Sequence, residues 1–249
     1  MKLKLLFVAF ITGFTIHAQG YKPCVTDSMM KIALHNEPSL IHNIEMFRVY
    51  VDSVMANSVS KKEAEIRRIP VVVHIMHTGG SNNISDEQIH DAIRIINEDF
   101  RKLNADTLDV IQDFQPIYAD IGVEFKLAKL DPDGKCTKGI TRTYTQLTND
   151  AGENVKELVG WNPRMYLNIW VVSNIASGAG GYSYLPGSAP NNDGNAGIVI
   201  RASQFGSIGL SSSGNVSSRS MTHEIGHYLG LPHTLGGSND NNLAEDCDI

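Results

Sequence analysis

The chain has 249 residues, enough for one sizeable domain with processing segments attached. Hydrophobic residues make up 42% and charged residues 19%, with no low-complexity tract, which excludes an intrinsically disordered chain. The net charge of -6 becomes -8 once Lys2 and Lys4 are subtracted, and so acidic a chain is not built to bind nucleic acid or an anionic membrane surface.

Residues 1–18 read as a signal peptide. Lys2 and Lys4 supply the positive start, Leu5 to Ile16 is mostly apolar, and Ile16-His17-Ala18 offers a small residue for cleavage before Gln19. The apolar run is too short for a transmembrane anchor, and Lys22 and Pro23 before Cys24 do not form a lipid-attachment sequence. The protein is therefore expected to be secreted. Its three cysteines, Cys24, Cys136 and Cys247, are too few for a disulfide framework and leave one without a partner inside the chain.

Residues 19–68 read as a propeptide. From Asp27 to Val59, Met30, Ile32, Leu34, Leu40, Ile44, Phe47, Val51 and Val54 recur at roughly helical spacing, broken near Pro38. The basic cluster Lys61, Lys62, Arg67 and Arg68 follows as a processing region. A plain N-terminal helical pair belonging to the main domain is the competing reading.

The main domain is expected over residues 69–249. Pro70 to Met76 is a short β-branched run suited to a buried strand. Ser85-Asp86-Glu87-Gln88 forms a capping box, and Ile89, Ala92, Ile93, Ile96 and Phe100 form a helical apolar stripe behind it. Ile121 to Leu127, Tyr166 to Val172, Gly181 to Leu185 and Gly197 to Ile200 read as strands, with a turn at Asp131-Pro132-Asp133-Gly134. Strands interleaved with two helices make a layered α/β or α+β fold.

The chemistry is concentrated in residues 223–233, HEIGHYLGLPH. His223 and His227 are four apart, so a helix presents both on one face to a single zinc ion. Gly230 can end that helix through a left-handed residue and bring His233 round as a third ligand, with Pro232 preventing simple continuation. Three nitrogens leave one position open, the arrangement of a catalytic zinc site. Glu224, next to the first ligand, is placed to act as general base and then acid in hydrolysis of a peptide bond. Five fixed residues at these offsets arise by chance with a probability on the order of 10⁻⁴.

This pattern, H-E-x-x-H-x-x-G-x-x-H, resembles that of the metzincin zinc proteases, and HEIGHYLGLPHTLGG looks like the pappalysin family. The likeness extends to IPVVVHIMH, ISDEQIHDAIRIINEDFRKLN, GVEFKLAKLDPDGKCTKGITR and GGYSYLP. It implies an α+β fold with a twisted mixed β-sheet packed on two long helices and a zinc cleft at the active-site helix. It also implies that Gly181, Tyr182, Ser183 and Tyr184 form an edge strand along which a protein or peptide substrate pairs; an ordinary surface loop is the alternative.

Metzincins carry a methionine-containing turn downstream of the third histidine, yet no methionine follows Met221. The C-terminal subdomain therefore reads as truncated, and the chain as given as a poor or inactive enzyme.

Some metzincin propeptides place a thiolate on the zinc, which makes Cys24 a candidate zymogen switch; the alternative is a disulfide from Cys24 to Cys136 or Cys247. The resemblance implies a disulfide for Cys247 with a cysteine beyond Ile249. The acidic stretch Asn239 to Asp248 is a candidate Ca2+ loop without recognisable ligand spacing, and a solvated loop is the plainer reading. His74, His77 and His90 are expected to be structural or exposed. The rival to a secreted zinc endopeptidase is a catalytically inactive zinc-binding module for adhesion or substrate capture.

Overall fold

The structure is a computed structural model, and it describes residues 24–57, 66–191, 193–211 and 218–233. The signal peptide, Lys61, Lys62, Cys247 and the acidic stretch from Asn239 lie outside them.

Two helices come first, α1 (Thr26–Asn36) and α2 (Leu40–Asn57), separated at Pro38 as the sequence implies. Strand β1 (Arg67–His77) starts ahead of the expected Pro70. Its first residues, assigned above to a basic processing cluster, are built into the sheet: the Arg67 amide donates to Gly122, and Arg68 pairs with Glu124 at 3.0 Å. The pleat then turns the Pro70 nitrogen away from β2, towards the side where β4 begins only at Val71, so its missing N–H costs no ladder bond.

Helix α3 (Asp86–Phe100) is capped by Ser85, which accepts from the Gln88 amide. The expected reciprocal bond does not form. Instead the Gln88 side chain is buried, donating to the carbonyls of Ala202 and Phe205 and accepting from the Leu210 amide. Two carbonyls and an amide of the 202–210 segment need partners, and that demand outweighs one exposed helix-end donor.

The strands that follow are β2 (Val123–Leu127), β3 (Ile140–Tyr144), β4 (Leu167–Val172), β5 (Gly181–Ser183) and β6 (Ile198–Arg201). Strand β3 escaped the sequence reading, although Ile140, Thr141 and Thr143 are β-branched. The sheet runs β2-β1-β4-β6-β5, with β3 pairing the second half of β1. Its pairings are parallel except for β5, which joins β6 antiparallel at the edge.

Both faces are covered, which is why β1 and β4 read as continuous apolar runs. On one face Val71, Val73, Ile75, Ile169 and Ile200 pack against Ile89, Ile93 and Ile96 of α3 and against Met221 and Ile225 of α4 (Ser220–Tyr228). On the other, Met76, Trp170, Val172 and Val199 meet Tyr182 of β5 together with Ala33 and Leu40 of the two N-terminal helices. No helix among the described residues is long and apolar enough to cross a membrane.

His74, in the middle of β1, is fully buried, with Nδ1 2.7 Å from Thr141 Oγ1 and Nε2 2.9 Å from Asn168 Oδ1. Burial pushes its pKa down from 6.5 to about 4, against the small upward pull of Asn168. Because the folded value is depressed, the unfolded chain binds the extra proton. Stability is therefore full above pH ~6.5 and falls as the pH drops towards ~4, by about 3 kcal/mol. Chemical denaturation of the protein and of His74→Gln at pH 7 and pH 4 measures this term as the difference in their pH dependence. Equal losses in the two would refute it.

Candidate metal centre

Helix α4 is held by its first turn. Arg219 bridges Asp99 at 3.0 Å and Asp106 at 2.9 Å, and the Thr222 hydroxyl donates to Asp99 at 2.6 Å. These bonds tie α4 to the end of α3, while Met221 and Ile225 anchor it to the sheet. With that face buried, Glu224 is turned towards β5, and His223 and His227 line the neighbouring cleft.

The helix ends as its sequence demands. Gly230 has φ +101°, its amide donates to His227, and the Leu231 amide donates to Gly226. This paired closure satisfies two carbonyls and reverses the chain. The reversal returns His233 to the cluster and places the Leu231 carbonyl 2.7 Å from His227 Nδ1, which donates to it.

The three Nε2 atoms converge. His227 Nε2 is 3.0 Å from that of His223 and 3.2 Å from that of His233. Cys24 Sγ lies 3.5 Å from His227 Nε2, and the four donor atoms fall within 4.8 Å of one another. Tetrahedral zinc with ordinary bond lengths requires about 3.3 Å between nitrogens and about 3.5 Å between nitrogen and sulfur. The donor types fit zinc, and so do the three distances measured from His227.

Electrostatics point the same way. Burial lowers the pKa of His223 to about 4 and lowers that of His227, keeping both in the neutral form a metal requires. Burial also raises the Glu224 carboxyl to about 8 and pushes the Cys24 thiol up to about 12.

The Glu224 side chain is 2% exposed, beside Cys24 and beneath β5. A Cβ on Gly181 would come within 3.0 Å of Glu224 Cγ and Oε1, so the β5 backbone lies directly on that carboxyl. We expect Gly181→Ala to displace Glu224 and to lower turnover about tenfold while leaving metal content unchanged. Metal analysis beside a peptidase assay checks this, and undiminished turnover would contradict it.

Strand β5 is fixed from behind. Tyr182 donates to Glu153 at 2.9 Å, and Lys156 Nζ lies 3.0 Å from Glu153, 5.0 Å from the Tyr182 ring and 4.7 Å from the Tyr184 ring. Of the four residues expected at the edge strand, Gly181 and Ser183 thus lie on the side of the site, and Tyr182 faces the opposite layer. The Ser183 amide donates to Thr26 Oγ1 at 3.1 Å.

Cys24 therefore joins the histidines rather than Cys136, which is exposed; no disulfide joins the two. The sequence reading missed Thr26 and Asp27, the latter 2.7 Å from His233 Nδ1. Their only signal was position, next to the cysteine at the start of a helix. Beside the cluster opens a cleft of about 550 Å³, walled by Phe100, Tyr118 and Pro232.

Comparison with known proteins agrees with this geometry. A family model described as Peptidase_M43, pregnancy-associated plasma protein-A, matches residues 149–248. Extracellular metalloproteases of Arthroderma benhamiae and Pyricularia oryzae are 25% and 28% identical over 73% and 81% of this chain. The chain spans 56% and 63% of their lengths. Mature mirolysin of Tannerella forsythia, solved with a cleaved peptide, is 40% identical over 70% of this chain and 67% of its own, with a TM-score of 0.64. A promirolysin mutant from the same organism is 33% identical over 87% of this chain and 71% of its own, with a TM-score of 0.73. A likeness of that extent settles descent: the chain belongs to the M43, or pappalysin, family of metalloproteases.

Proposed function

We propose that the protein is a secreted zinc endopeptidase made as a zymogen, with His223, His227 and His233 as metal ligands and Glu224 as general base. The observation that carries this reading is the convergence of three imidazoles beside one buried carboxyl. Zinc, when bound, supplies a Lewis acid that polarises the scissile carbonyl. Glu224 takes the proton of the attacking water and passes it to the leaving amine. Ser183 offers its amide to a substrate carbonyl, the bond that Thr26 accepts here, so that a peptide extends β5 by one strand. Mirolysin's complex with a cleaved peptide supports peptides as the substrate class, and the extracellular relatives support export.

Cys24 is the latency residue in this reading: its sulfur lies beside the imidazole nitrogens and would hold the metal position that a water molecule needs for hydrolysis. The promirolysin likeness supports a zymogen.

The test pairs zinc content with casein cleavage by the protein after removal of the N-terminal helices. About one zinc per chain, activity lost on chelation and restored by zinc, is the expected result. Stoichiometric zinc without cleavage would replace this reading with a zinc-binding capture module.

A further inference from the structure

The turn of α1 that carries Cys24 makes a second contact with the site. Asp27 Oδ2 lies 2.7 Å from His233 Nδ1, while His233 Nε2 faces the other imidazoles. The two side chains are 24% and 9% exposed, so little water competes for the bond. A ligating imidazole whose far N–H is held by a carboxylate is fixed in one tautomer and orientation and becomes a more basic ligand.

The histidines differ in what orients them. His223 and His227 ride on α4, and His227 has the Leu231 carbonyl besides. His233 follows the helix on a segment without regular structure. It is the ligand its own backbone supports least, and its orienting partner comes from the other end of the chain.

We propose that Asp27 is a positioning residue for the metal: its carboxylate orients His233, so the intact chain holds zinc more tightly than the chain stripped of its N-terminal helices. The inference rests on the reading of the three histidines as zinc ligands. It gives the N-terminal segment a role in assembling the centre as well as blocking it, and predicts that processing leaves the zinc more labile.

Zinc release to a coloured chelator, measured on the full chain and on Asp27→Ala and Asp27→Asn, tests this. Hydrogen exchange at the Ser183 amide, which Thr26 covers, reports in parallel whether α1 stays docked. We expect Asp27→Ala to release zinc about 10- to 100-fold faster with Ser183 still protected. Asp27→Asn, which keeps an acceptor oxygen without the charge, should fall between. Release at the wild-type rate overturns the proposal. Faster release with Ser183 unprotected also overturns it, because Asp27 then merely latches the helix. A sulfur-to-metal absorption band in the cobalt-substituted full chain separately tests ligation by Cys24. Its absence would sink the latency reading and leave the Asp27 comparison to stand by itself.

Discussion

Glu224→Gln is expected to lower casein cleavage by about 10²- to 10⁴-fold while zinc content stays the same. Glutamine has nearly the same shape, so it fills the buried space beneath β5 without disturbing the helix. It keeps an oxygen and loses the ability to take a proton. The carboxyl already resists ionisation in this environment, so its loss should cost the fold little. Turnover and metal content must be read together. A loss of both would mean that Glu224 supports the site rather than the proton transfer, and unchanged turnover would remove it from the mechanism.

Cys24→Ala should make the unprocessed chain active. A tethered ligand acts at an effective concentration of millimolar or more, so removing its sulfur should raise cleavage by the intact chain on the order of 10²-fold. Thr26 and Asp27 keep their contacts with Ser183 and His233, so activity should remain below that of the processed enzyme. Casein cleavage is followed while electrophoresis confirms that the chain stays whole. If the intact variant is as silent as the parent while its processed form cleaves, the helix blocks the site and the thiol does not.

Much of this was legible because it depends on neighbours in sequence. His223 and His227 share a helical face through their spacing alone, and Glu224 follows the first of them directly. Gly230 announces the reversal that returns His233, because a left-handed residue after a helix favours glycine. The break at Pro38, the Ser85 cap and the apolar stripe of α3 are local in the same sense.

What escaped is long-range. Gln88 could not be assigned from its capping position, because its partners lie more than a hundred residues away. Strand β3 is short and half-exposed, and its pairing with β1 defines it more than its own composition does. Arg67 and Arg68 looked like a processing site because a basic pair has the same composition in a linker and in a strand. Cys24 shows the division most sharply: its sequence left a zinc thiolate and a disulfide both open, and only packing of α1 against β5 brought the sulfur to His227, 203 residues on. The sequence by itself determined the donor types, their spacing and the helix that presents them, since backbone geometry over a few turns is a local property. The tertiary structure alone decided which distant groups complete the site, Cys24, Thr26, Asp27 and the β5 backbone, because those contacts follow from how α1 and the sheet pack, and no local pattern encodes that.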